Sequence, residues 1–146
     1  MRTSSSGAML SALLLSILVV APAPAQSKGQ QQAVKQALNG RHFLVTYREG
    51  GPIYGTYYFR DVYFCPSGLY VVQGQSRKET VMGNTQVYSL NDRGVWDVST
   101  IAERVVLRSR SQSGQVNALQ IALLPDGGIW LGDGVTVVSR GLAPCQ

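Results

Sequence analysis

The sequence predicts an all-β protein: an up-and-down antiparallel β-barrel of about eight strands, with one short N-terminal helix. Three observations lead there. From Arg41 onward, runs of β-branched and aromatic residues alternate with Gly/Pro/Asn/Asp turn signals roughly every 8–12 residues. No run between them is long and helical enough for a crossover, so sequence neighbours should pair as antiparallel hairpins. A meander of that length leaves two unpaired edges, and closing the sheet on itself removes them.

Residues 1–25 are read first, because they stand apart from that pattern. Arg2 precedes the apolar run Ala8 to Ala21, and Ala23-Pro24-Ala25 follows with small residues at a cleavage spacing. This is the build of a signal peptide cut after Ala25. An apolar core of about 14 residues is short of the roughly 20 that span a bilayer. No cysteine follows the run, which argues against a lipid anchor. The expectation is an exported chain, periplasmic or extracellular, with no membrane span once the leader is gone. Loss of Arg2 with the leader would lower the net charge of +5 by one. That mild excess aids solubility and gives no reason to expect a nucleic-acid partner.

Residues 26–40 form the second segment. Gln26 to Gln32 is polar and reads as an unstructured lead-in. Ala33, Val34, Ala37 and Leu38 then recur at helical spacing, and Asn39-Gly40 is a stop signal, so a helix is expected over about residues 30–38.

The third segment, 41–146, is the β domain. Expected strands are 42–48, 55–64, 69–76, 85–90, 95–99, 102–110 and 116–124, then a short one at Ile129–Gly132 and a last one over 135–140. Glu49-Gly50-Gly51-Pro52, Pro66-Ser67-Gly68, Asn91-Asp92-Arg93-Gly94, Pro125-Asp126-Gly127-Gly128 and Asp133-Gly134 are read as turns between them. Over 102–110, Val105 and Leu107 oppose Arg104, Arg108 and Arg110, giving one inner and one charged outer face. Over 116–124, Leu119, Ile121 and Leu123 oppose Gln120. The aromatic strand 55–64 stays undecided. Tyr57, Phe59, Asp61 and Tyr63 share one face, Tyr58, Arg60, Val62 and Phe64 the other, and each face carries one charge among apolar groups.

The chain has two cysteines, Cys65 and Cys145. In an exported protein an even count reads as a disulfide, and within one chain two cysteines leave one pairing. A bridge enclosing a loop of about 80 residues is worth roughly 4 kcal/mol by chain entropy. A catalytic thiol would need a base or a cationic neighbourhood. The one histidine, His42, lies in the first strand and nothing in the sequence places it beside Cys65.

Several pieces resemble a family of small exported bacterial proteins, largely uncharacterised, with a lipocalin-like (calycin-type) β-barrel. They are Phe64-Cys65-Pro66-Ser67-Gly68-Leu69-Tyr70, the Gly94-Val95-Trp96-Asp97-Val98 strand, Leu123 to Asp133, and the terminal Cys145. The likeness covers roughly residues 40–145. It implies a barrel and carries over no catalytic residue. Gly94-x-Trp96 also resembles the Gly-x-Trp of true lipocalins. There it stands on the first strand, and here it stands mid-chain.

No ligand cluster for a metal and no Gly-x-Ser-x-Gly elbow is present, and the Gly-rich stretches do not open a helix. No catalytic residue, metal or cofactor is therefore expected, and the chain is read as a non-enzyme. Asp61 and Asp97, flanked by apolar residues, would become candidate sites only if buried. The binding expectation rests on aromatics. Tyr57, Phe59, Tyr63, Tyr70, Trp96 and Trp130 would line a barrel cavity for a small apolar or amphipathic ligand, or else fill the barrel as core. The alternative is a protein-binding module, an envelope partner or a secreted-protease inhibitor, using the polar segment Gln26–Gln32 or a tyrosine-rich face.

Overall fold

The computed structural model describes residues 24–51 and 54–145. The signal-peptide expectation falls almost wholly on residues 1–23, outside the described ones.

Helix α1 (Pro24–Leu38) is longer than the expected 30–38. The segment 26–32, expected to lack structure, is helical. Gln, Lys and Ala are good helix formers, and a proline is tolerated in the first turn, where its missing N–H has no helical partner. Tertiary contacts add to propensity. Gln31 Nε2 donates to the Val98 carbonyl at 2.9 Å, and its Oε1 accepts from Thr100 Oγ1 at 2.9 Å. Val34 and Leu38 are almost fully buried one turn apart. Gly40 ends the helix with φ +70°, a left-handed conformation that costs glycine little.

Nine strands follow: β1 (Arg41–Gly50), β2 (Gly55–Phe64), β3 (Leu69–Glu79), β4 (Thr85–Ile101), β5 (Arg104–Ser111), β6 (Val116–Gln120), β7 (Ala122–Leu123), β8 (Ile129–Trp130) and β9 (Thr136–Leu142). They form a seven-stranded antiparallel sheet of order β6-β5-β4-β3-β2-β1-β9 and a separate β7-β8 pair. The meander runs in sequence order, and the last strand then pairs with the first, Val45 opposite Val137. Strand β7 follows β6 after Ile121, and β8 touches β9, one edge strand of the large sheet.

Several boundaries differ from expectation: Glu49 and Gly50 belong to β1, β3 runs on to Glu79, Ala102 and Glu103 form a turn with positive φ, and two further differences shape the sheet. Asn91-Asp92-Arg93-Gly94 is not a turn but the middle of the 17-residue β4. The first half of β4 pairs with β3 and the second half with β5, and the two ladders overlap at Gly94 and Val95. A Cβ at Gly94 would collide with the Arg110 carbonyl oxygen, so the glycine permits close approach of β5 where the strand changes partners. Residues 116–124 are not one strand. Ile121 sits between β6 and β7, nearly fully buried, and its N–H donates to the Val105 carbonyl at 3.1 Å.

The core gathers at the α1 end of the sheet. Val34 and Leu38 meet Phe43, Phe64, Trp96, Val98 and Ile121 there. Trp96 stands edge-on to Phe64 at 5.1 Å, and its Nε1–H donates to the Cys65 carbonyl at 3.2 Å. Cys65 is bonded to Cys145, 80 residues on, which ties the tail to the β2–β3 hairpin. The expected disulfide is thus formed in this structure. Among the described residues no helix is long and apolar enough to cross a membrane.

Candidate ligand cavity

One face of the sheet borders a volume that its side chains do not fill. A cavity of about 400 Å³ runs from the α1 end toward the opposite end. Strand alternation decides its lining. On β1 the odd positions Phe43, Val45, Tyr47 and Glu49 face in, and on β2 the even positions Arg60, Val62 and Phe64 do. Tyr70 and Val72 come from β3, Asp92 from β4, Leu107 and Ser109 from β5. Asn117, Leu119, Ile121, Ile129, Leu131, Val135 and Val137 complete the far wall. Leu38 of α1 closes one end beside buried Phe43, Phe64 and Ile121. Glu49, Asn117 and Leu119 are exposed members of the lining.

Two polar groupings interrupt this apolar surface. Deep in the cavity, the Tyr70 hydroxyl donates to Asp92 Oδ2 at 2.8 Å, while Asp92 Oδ1 accepts the Arg93 N–H at 2.8 Å. Burial first, then the hydrogen bond to Asp92 and its negative charge, push the Tyr70 phenol up to about 12. Tyr70 is therefore a hydrogen-bond donor at any physiological pH.

Toward the opposite end, Tyr47 and Tyr58 stack at 4.5 Å, and the Tyr58 hydroxyl donates to Glu49 Oε2 at 2.9 Å. That hydrogen bond raises the Tyr58 phenol, and burial raises that of Tyr47. The Arg60 guanidinium lies 5.1 Å from the Tyr47 ring centroid and 5.3 Å from that of Tyr58, within cation–π range of both.

Of the six aromatics expected to line a cavity, only Tyr70 does so. Trp96 is buried in the core beyond the cavity floor. Trp130 alternates with the lining residues Ile129 and Leu131 and does not line the cavity. Tyr57, Phe59 and Tyr63 lie on the opposite face of β2. Tyr57 lies under the Arg48 guanidinium at 4.8 Å, Phe59 is 45% exposed, and Tyr63 stacks on His42 at 4.3 Å. Asp61 is on that face too, 2.6 Å from His42 Nε2, and Asp97 is exposed and paired with Lys35 at 2.6 Å. Neither acid is buried in the cavity. The cavity residues missed by sequence reasoning are chiefly aliphatic, together with Arg60 and Asp92. Asp92 was hidden by its reading as a turn. Arg60 was visible as the one charge on the face it shares with Tyr58 and Val62, but the phase of its strand was undetermined.

No group of three or more His, Cys, Asp or Glu able to hold a metal occurs among the described residues. No protein-family model, curated protein or solved structure matches this chain.

Proposed function

We propose that this chain is an exported, non-enzymatic binding protein of lipocalin-like barrel form, holding one small apolar or amphipathic ligand in the cavity. The observation that carries this reading is the cavity itself. Its volume of about 400 Å³ falls in the range of small-molecule sites, and its walls are mostly Val, Leu, Ile and Phe with a few fixed polar groups. A barrel is supported by the pairing of β9 with β1 and by the contact that β8, paired with β7, makes with β9. The non-enzymatic part is supported by the hydrogen bonds that already occupy the cavity's two carboxylates, Asp92 with Tyr70 and Glu49 with Tyr58. The forced Cys65–Cys145 bridge suits an oxidising compartment, in keeping with export.

The test is a titration with an environment-sensitive apolar fluorophore. The protein should take up one equivalent saturably, and Leu107→Trp, which adds a bulky ring to the buried cavity wall, should abolish uptake while the protein stays folded. Uptake unchanged in Leu107→Trp would remove the cavity from consideration.

A second reading, protein recognition, has one observation in its favour. Tyr57 and Phe59 of β2 and Val87 of β4 share the outer face, on either side of Arg77 of β3, and Phe59 and Val87 are 45% and 54% exposed. Capture of a specific envelope protein that is lost on Phe59→Ser, and kept in Leu107→Trp, would favour it over the cavity.

A further inference from the structure

The cavity holds one polar atom whose bonding capacity is unmet. Arg60 Nε is buried and has no hydrogen-bond partner. Burying a guanidinium N–H without an acceptor is costly, and such an atom in a folded protein calls for a partner. The other charged groups facing the same space are acids, and both already accept hydrogen bonds from the protein. Asp92 takes the Tyr70 hydroxyl and the Arg93 N–H, and Glu49 takes the Tyr58 hydroxyl. Among the described residues, no carboxylate lies within ion-pair distance of the Arg60 guanidinium. The unmet demand inside this cavity is therefore for an acceptor, and the group that makes it carries a positive charge.

Arg60 is also held in place. Tyr47 and Tyr58, stacked on each other, both present their rings to its guanidinium. A planar guanidinium fixed in this way matches a carboxylate, which can accept from two of its N–H groups at once. Arg60 projects from β2 opposite Val45, with Val62 and Phe64 continuing the same face toward the Leu38 end. A single apolar chain lying along Val62, Val45 and Phe43 would bring a head group to Arg60.

We infer that the ligand of this cavity is a single-chain carboxylic acid, its tail directed toward Leu38 and its carboxylate bound by Arg60. The inference rests on the cavity being a ligand site and adds the chemical class of the ligand.

Dodecanoate and dodecanol, equal in chain length and used below the micellar range, separate the two claims. The unmodified protein should bind the acid about tenfold or more tightly than the alcohol, as expected for a hydrogen bond to a charged group. Arg60→Gln should bring the two affinities together without weakening the alcohol, and Arg60→Lys, which keeps the charge, should retain a preference for the acid. Equal binding of acid and alcohol by the unmodified protein would overturn the carboxylate inference and leave the cavity reading standing. Binding of neither would overturn both. A preference for the acid that survives intact in Arg60→Gln would show that another group receives the carboxylate. The first comparison uses the natural chain, so its outcome does not depend on how a variant folds.

Discussion

The two ends of the inner sheet face are built on different physics. At the α1 end, Val34, Leu38, Phe43, Phe64, Trp96 and Ile121 interlock, and the Cys65–Cys145 bond holds the tail beside them. At the other end, Tyr47, Glu49, Tyr58 and Arg60 meet through stacking, a phenol–carboxylate hydrogen bond and cation–π contacts around an open volume. Apolar burial dominates folding free energy, while polar groups at a concave site contribute orientation and selectivity. The difference teaches that stability and recognition are separated along the strands, so substitutions at one end should leave the other's property largely intact.

The largest effect is expected from Trp96→Ala. It removes a buried ring packed on Phe64 and leaves the Cys65 carbonyl without its indole donor. Loss of about 3–5 kcal/mol in denaturant unfolding is the expectation. A cost well below 1 kcal/mol would mean that the α1 end is not the stabilising one. Cys65→Ser should follow, at about 2–5 kcal/mol, with ligand or probe uptake retained at temperatures where the variant is folded. Equal thermal unfolding of the unmodified protein under reducing and oxidising conditions would count against it.

Tyr70 lies where the two regions meet and gives a pH signature. Its folded pKa, about 12, is above the ordinary tyrosine value near 10, so its contribution is complete below pH 10 and is lost as pH rises through 12. Two units correspond to about 2–3 kcal/mol. In an alkaline absorbance titration one tyrosine should ionise last, and Tyr70→Phe should remove that step. A titration in which Tyr70→Phe leaves the late step unchanged would assign it elsewhere.

The smallest effect is expected at the Lys35–Asp97 pair on the outer side of the α1 contact. The Lys35 ammonium, hydrogen-bonded to Asp97, holds its carboxyl below the usual carboxylate range. The depressed pKa means that this stability is present above the unfolded aspartate value and is lost as pH falls through the folded one. Both side chains are more than half exposed, so Lys35→Ala should cost less than about 1 kcal/mol at pH 7 after solvent screening. That cost should shrink in acid. A larger, pH-independent loss would show that the Lys35 stem, not its charge, matters to α1.

Most strand positions were legible from the chain, because turn residues and alternating apolar positions mark them locally. The burial of Val105 and Leu107 against exposed Arg104, Arg108 and Arg110 on β5 was legible for the same reason, whereas the burial of Val106 on the arginine side was not. The continuity of β4 was not. Asn91-Asp92-Arg93-Gly94 has turn chemistry, yet pairing with β3 on one side and β5 on the other satisfies its backbone and keeps it extended. The candidate site was less legible than the fold. Five of six expected aromatics lie elsewhere, and the cavity wall is mostly aliphatic.

By itself, the sequence determined the class of the fold, the existence of a short helix ending at Asn39-Gly40, and the pairing of Cys65 with Cys145 within the chain. These depend on local backbone preference and on a count of two. Tertiary structure alone decided which face of β2 turns inward. With one charge and three apolar or aromatic residues on each face, period-two alternation has no preferred phase. The phase is set across strands, where Phe64 meets Phe43 and Trp96 inside while Asp61 and Tyr63 meet His42 outside. That choice is what carries Arg60 into the cavity and leaves Phe59 half-exposed on the outer face.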